Sequence, residues 1–422
     1  MLFEPISIMR KTVRHTFFAS INKYDALLFM LIVSLIYGRY GLFYPTSILS
    51  VLYLPVIMNI YSPRIANDIK PYFYFFCFWI ILASFSVFWT PSPFWKKDYF
   101  LLLIHSITFL DIIILSRKAR SPFSSLSSGW MVAFFLTSLI ALWEISSGQH
   151  LSTAREEEEV VTNSLGESFE MIYATVTFYN LNTYCYFITF AYPFILYNLS
   201  IARNKKSYIF SLILLLLAIY FLFTNGSRGA LFSILIMSIM YLIIILWKSS
   251  TKAKIYMFLT IVIVGFVIVF WWESIFDYFL FRIEGKNAFE DNARLELWQS
   301  SWELFLDSKG LGQGVGSMIK AMQISGNSYY IYYSHNMLLE LLLEYGIFIL
   351  PFFLYFLWLL LKKTLNMNNA SRKMLLLGSL FSFPFYSVIN SENIRLTFIW
   401  CFFASLVVFS GLPDTKIHIE RN

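Results

Sequence analysis

The sequence predicts an all-α integral membrane protein of about twelve transmembrane helices, with a large outer helical loop between spans nine and ten. Three observations carry this: composition, the length of the apolar runs and the placement of the basic residues. Of 422 residues, 58% are hydrophobic and 14% charged, against roughly a quarter charged in soluble domains. Such a chain belongs in a bilayer. Its net charge of +7 does not point to nucleic acid, because the basic residues fall in short clusters between apolar runs. Cys77, Cys185 and Cys401 all lie in apolar stretches, so neither a disulfide framework nor metal-ligand spacing is visible.

A run of about 17 to 25 apolar residues covers roughly 30 Å of hydrocarbon. The runs that qualify are 25–44, 46–61, 71–90, 98–116, 130–146, 178–202, 207–224, 230–247, 255–271, 336–361, 374–389 and 396–411. The second and the last two are short for a span. The basic N-terminal stretch resembles a signal peptide, but the run after it is too long and lacks a small-residue cleavage site, so it reads as the first span. With both termini cytoplasmic, 21 of the 32 Lys and Arg residues fall in inner segments, as the positive-inside bias requires. The organisation that follows is a cytoplasmic segment 1–24, spans one to nine over 25–271, an outer loop 272–334, spans ten to twelve over 335–411 and a cytoplasmic tail 412–422.

Two outer loops have substance. The first, 147–177, holds the run Glu156 to Glu159, read as a solvated acidic turn because contiguous carboxylates cannot all converge on one ion. The second is richer. Asp291 or Asn292 caps a predicted helix whose Leu295, Trp298, Trp302, Phe305 and Leu306 recur at helical spacing. Such a helix lies flat on the outer leaflet or packs over the bundle. The glycines of GLGQGVGS lack a preceding strand and the dinucleotide-binding spacing, so they are read as a tight turn. Tyr329, Tyr330, Tyr332 and Tyr333 suit interfacial anchoring or stacking on sugar rings.

Three residues carry the chemistry. Arg228, in the turn NGSRG between two spans, is tolerable only near the interface or a wet cavity, since a mid-bilayer arginine costs roughly 2.5 to 3.5 kcal/mol. Its planar fork suits a phosphate, and its small neighbours leave room for a lipid headgroup. Arg294 lies in the same outer compartment. His335, in SHNMLLELLLEYG, is outside and at the start of a helix, where neutral imidazole can accept a hydroxyl proton. Asn336 and Glu340, with Glu344 a turn further, are placed to orient it or to bind sugar. Each reading competes with a plain one: a headgroup-bound arginine, a surface arginine, a structural histidine.

The set SRG, ARLELW, GLGQGVGS and HNMLLELLLEYGI, with FYNLN at Phe178 to Asn182, resembles the O-antigen ligase and Wzy-type O-antigen polymerase superfamily over residues 175–400. The resemblance implies a GT-C-like bundle and an inverting, metal-independent glycosyltransferase of the bacterial inner membrane, its active site facing the periplasm or outside. Its donor would be an undecaprenyl-diphosphate-linked oligosaccharide. Arg228 and Arg294 would match the arginines that hold the diphosphate, and His335 the proposed base, with no cofactor and no metal. Arg282 and Arg395 are secondary phosphate candidates, of which Arg395 has Glu392 as a competing partner. Asn182 matches an asparagine at the mouth of a span.

A polymerase, whose acceptor is a second lipid-linked glycan, and a ligase, whose acceptor is the lipid A core, share this donor site. The extended HN…E…EYG and FYNLN motifs favour the polymerase, for O-antigen, capsular or teichuronic polymer, with a chain-length regulator as a further partner. A lipid-linked oligosaccharide flippase is the rival of another class, but internal repeats and midplane charges are not seen. A scaffold of a polysaccharide assembly complex is the weakest alternative.

Overall fold

A computed structural model describes residues 22–38, 44–154, 160–162, 168–170, 173–202, 204–248, 294–324, 333–390 and 393–411. The expected span 255–271, the run 156–159, Arg282, Glu392 and Tyr329, Tyr330 and Tyr332 lie outside them. Apart from one hairpin, in which Val160–Thr162 pairs antiparallel with Ser168–Glu170, the described fold is helical.

Beyond the first run, where the helix ends at Val33 and a 3-10 turn covers Ser34–Tyr37, the first half follows the apolar runs closely. Helices α1 (Lys23–Val33), α2 (Pro45–Ile60), α3 (Pro63–Ser86), α4 (Trp95–Ser116) and α5 (Pro122–Ser147) are followed by α6 (Leu181–Ile201), α7 (Lys205–Thr224) and α8 (Arg228–Lys248). Their starts are written in sequence. Proline opens α2, α3 and α5, where its missing N–H is not needed. Asparagine side chains cap α1, α6 and α7, satisfying N–H groups that have no partner within the helix. Among the described residues, five helices are long and apolar enough to cross a membrane: Asn67–Ser86 within α3, then α4, α5, α6 and α7.

The second half departs from the prediction. Residues 294–307 form α9, followed by α10 (Met318–Ile324), α11 (Met337–Tyr345), α12 (Ile349–Leu365), α13 (Ala370–Phe381), α14 (Phe383–Tyr386) and α15 (Thr397–Gly411). The run 336–361 is thus two helices, broken at Gly346, whose φ is 73°. The run 374–389 breaks after Phe381. Hydropathy alone does not see these breaks, because the residues on both sides are apolar.

The predicted helix in the second outer loop exists, yet its buried stripe differs from the expected one. Leu297, Ser301 and Phe305 are buried, with Leu297 packed on Met318, Met322 and Leu343. Leu295, Trp302 and Leu306 are 61%, 46% and 54% exposed. The helix therefore packs over the bundle with one face and offers a second apolar face outward, as a helix at a leaflet boundary does.

At the centre, α6 and α15 are almost wholly buried. Their contact is aromatic: Phe190 and Phe402 approach to 4.3 Å between ring centroids, and Trp130 of α5 stacks on Phe194 at 5.3 Å. Around them, α2, α3, α7 and α8 expose large apolar side chains such as Leu52, Met58, Phe85, Leu216 and Phe232. A contiguous apolar exterior over a packed interior is the surface of a protein solvated by lipid.

Candidate active site

The turn before α8 is pinned first. Asn225 is 1% exposed; its Oδ1 accepts from Ala174 N at 2.9 Å and its Nδ2 donates to Ala174 O at 2.9 Å. Glu144 holds the same segment from the other side, accepting from Thr175 N and Val176 N at 2.8 and 2.9 Å. Arg228 then begins α8. A cation there sits at the positive end of the helix dipole, normally an unfavourable place, and an anion at that point would offset both charges. Gly229 presses on the segment after α14: a Cβ added there would stand 3.1 Å from Ile389 Cγ1.

His335 reaches the same segment. Its φ is +48°, a left-handed conformation that costs a non-glycine residue on the order of 1 kcal/mol. Met337 N donates to Ser387 O at 2.9 Å, and the imidazole hydrogen-bonds to the Ile389 backbone. Nδ1 is buried and has no hydrogen-bond partner among the described residues. A neutral imidazole carries one lone pair and one N–H on its two ring nitrogens. Burial, and then the charge of Arg294, pull the imidazole pKa down to about 3. Arg294 opens α9, which is tied to the histidine by a 2.6 Å bond from Trp298 Nε1 to Ser334 O. Thus Arg294 acts on His335 electrostatically, while Gly229, next to Arg228, and His335 both approach Ile389. Nothing in the sequence around Ile389 marks it as the meeting point.

The supporting candidates divide differently. Asn336 caps α11, accepting from Leu338 N and Leu339 N at 3.0 and 3.3 Å. Glu340 and Glu344 make no hydrogen bond with the imidazole. Glu340 accepts from Asn393 Nδ2 at 3.1 Å and Ile394 N at 3.4 Å. Asn393 bonds to Asn390 O, and Asn390 Nδ2 to Thr183 Oγ1 at 3.0 Å. Asn182 is half-buried in the first turn of α6, next to Thr183, and Asn180 is the cap. FYNLN thereby connects to the histidine's helix through side-chain amides, a connection no local spacing reveals.

Arg395 is held by carboxylates. It donates to Asp98 Oδ1 at 2.7 Å and, more closely, to Glu344. Glu344 also accepts from Gly316 N and Met318 N, each at 3.3 Å. The glycine motif laces into this clasp. Gln313 N donates to Leu343 O at 2.6 Å and Ile347 N to Gly310 O at 2.8 Å. Gly312 has φ +80°, and a Cβ there would lie 2.5 Å from Gly346 N; at Gly316, with φ +69°, it would lie 2.5 Å from Asp98 Oδ2. The tight-turn reading of GLGQGVGS holds, for a reason the sequence does not state: two backbones pass too closely for any side chain. Asp98 was not singled out in the sequence because it stands alone at a span's edge.

Comparison with known proteins gives two matches. Residues 212–354 match the family described as O-Antigen ligase, an interval that contains Arg228, Arg294 and His335. The chain is 26% identical over 367 residues to the teichuronic acid biosynthesis protein TuaE of Bacillus subtilis (strain 168), covering 81% of this chain and 71% of that protein. Both matches support the O-antigen ligase and polymerase superfamily read from the motifs. Its described apolar helices fit a multi-pass membrane protein.

Proposed function

We propose that this chain is an inverting, metal-independent glycosyltransferase that moves a glycan from an undecaprenyl-diphosphate carrier to an acceptor hydroxyl, as a polymerase of repeat units. The observation that carries the reading is the meeting of an imidazole bearing an unpartnered Nδ1 with the charge of Arg294, beside the helix start that presents Arg228. Arg228 and Arg294 hold the diphosphate. The acceptor oxygen attacks the anomeric carbon from the face opposite the carrier, its proton passes to His335 Nδ1, and the carbon–oxygen bond to the diphosphate breaks with its electron pair on the leaving group. Diphosphate leaves readily, so charge neutralisation matters more than protonation, and two guanidiniums supply it.

The low pKa of His335 fits this sequence of events. In the empty site the ring is neutral at pH 7, with its lone pair available, but it is a weak base. A diphosphate between the arginines offsets the charge of Arg294 and favours the protonated ring, raising the pKa. The donor thus strengthens the base that acts on the acceptor. Spans one to twelve, with both termini cytoplasmic and the site facing outward, complete the reading; the inner-segment lysines and arginines support it.

The test is the size profile of lipid-linked and surface glycans in cells lacking the gene, complemented with wild type or His335→Ala. Single repeats that reach the surface, with long chains restored by wild type alone, are expected. Long polymer stranded on its carrier would make the chain a ligase instead. Long chains restored by His335→Ala would remove the histidine from the chemistry.

A further inference from the structure

Residues 173–180 form a strap that leads into α6, and its backbone is strained. Four non-glycine residues have positive φ among the described residues, and two of them, Val176 at 53° and Tyr179 at 73°, lie in this strap. Tyr179 is the tip of a turn in which Asn180 N donates to Phe178 O at 2.9 Å. With that φ it is a γ-turn of the strained hand. Its neighbours fix it there: Phe178 is buried with its ring 4.7 Å from that of Phe187, and Asn180 caps α6. Glycine would take this conformation freely, yet the position carries a tyrosine that is 53% exposed.

An exposed tyrosine in a membrane protein is ordinarily an interface anchor. The place of Tyr179 argues against that role. Every residue of Leu181–Tyr197 except Asn182 is buried, and α5, α7, α8, α13 and α15 all pack on this helix. Its mouth therefore opens over the middle of the bundle, inside the lipid-facing perimeter. The turn is also tied to both halves of the candidate site. On one side, Ala174 pairs through its N and O with Asn225, three residues before Arg228. On the other, Asn180 Oδ1 accepts from Thr183 Oγ1 at 2.9 Å, and that hydroxyl accepts from Asn390 Nδ2 at 3.0 Å. Asn390 follows Ile389, whose backbone hydrogen-bonds to His335. The result is a flat amphipathic ring on a rigid mount, joined to the elements that carry the arginine and the imidazole.

We propose that Tyr179 is a sugar-contact residue, its ring stacked on the pyranose of the donor glycan that is joined to the diphosphate. A tyrosine supplies flat contact area with little conformational entropy to lose, and its hydroxyl is free to hydrogen-bond a sugar oxygen. The assignment to the donor rests on the diphosphate reading of Arg228; the stacking contact does not.

The experiment compares binding of undecaprenyl diphosphate, with and without one N-acetylglucosamine, to the purified full chain in nanodiscs, and adds methyl N-acetylglucosaminide as a carrier-free probe. The sugar is expected to tighten binding of the carrier about tenfold, a difference of about 1.4 kcal/mol. Tyr179→Gly, which suits the backbone conformation, should lose that gain with melting temperature and affinity for the bare carrier unchanged, while Tyr179→Phe should keep most of it. A gain that survives Tyr179→Gly, or no gain in the wild type, overturns the proposal. Equal weakening of both carriers in Tyr179→Gly overturns it too, because the residue would then support the frame. Dependence on Tyr179 for the free glycoside but not for the carrier-linked sugar would put the ring in the acceptor's path and overturn the donor assignment. A wild type that binds neither carrier, yet binds the glycoside through Tyr179, would discard the diphosphate reading and keep the stacking contact.

Discussion

Arg294 and Arg395 flank the same stretch of chain, residues 333–346, and have opposite surroundings. Arg395 is closed on by Asp98 and Glu344, and Glu344 is further satisfied by two backbone N–H groups. Arg294 is half-buried, pairs with no carboxylate of the described residues, and acts on an imidazole with an open nitrogen. A charge taken out of water must be compensated. Where the protein compensates it, the arginine is part of the frame; beside Arg294, under the proposed function, the diphosphate supplies that charge. Arg395, a secondary phosphate candidate in the sequence, is occupied by carboxylates.

The contrast can be broken by substitution. The largest expected effect is His335→Ala, which should lower turnover by about 10²–10⁴-fold while leaving binding of the diphosphate donor intact, measured with purified chain and lipid-linked glycan. An unchanged rate would leave the strained histidine without a chemical role. Arg294→Ala should follow, with kcat/KM for donor reduced by about 10²–10³-fold and the melting temperature nearly unchanged. Arg395→Ala should do the reverse. It strands two buried carboxylates and should cost about 3–5 kcal/mol of stability, with Glu344→Gln recovering part of it. Equal behaviour of the two arginines in both assays would erase the distinction.

Acid sharpens the comparison with a smaller effect. The imidazole of His335 is depressed from its ordinary 6.5 to about 3, so the folded chain binds fewer protons than the unfolded chain between those values. Its contribution to stability is therefore level above pH 6.5 and declines as pH falls from 6.5 toward 3. His335→Gln should flatten that decline in a melting series. In kinetics, the acid limb of kcat should lie at higher pH than that of kcat/KM, because bound diphosphate raises the same pKa. Smallest of all, Trp302→Ser on the exposed face of α9 should change stability by no more than about 0.5 kcal/mol in detergent.

Much of the fold was legible because the bilayer imposes a length on each apolar run and proline and asparagine mark where helices begin. Helices α2 to α8 follow from that. The breaks at Gly346 and after Phe381 were not legible, since hydropathy is continuous across them. Arg228, Arg294 and His335 were candidates from their residue types and from the outer placement that the predicted spans give them. That Gly229, the neighbour of Arg228, and His335 both approach Ile389 could not be read there, because groups far apart in the chain make that approach. Which face of α9 is buried stays open in the sequence for a related reason: both of its faces are apolar, and only the position of Met318 and Leu343 decides it.

What the sequence determined by itself was a membrane solvent, the helix starts and the chemical types available at the outer mouth, all local properties of composition and spacing. What only the tertiary structure decided was that Arg395 is neutralised within the protein, because compensation of a charge depends on groups hundreds of positions away, such as Asp98 against Arg395. Identity of charge is written in the chain, whereas its cancellation is a property of the fold.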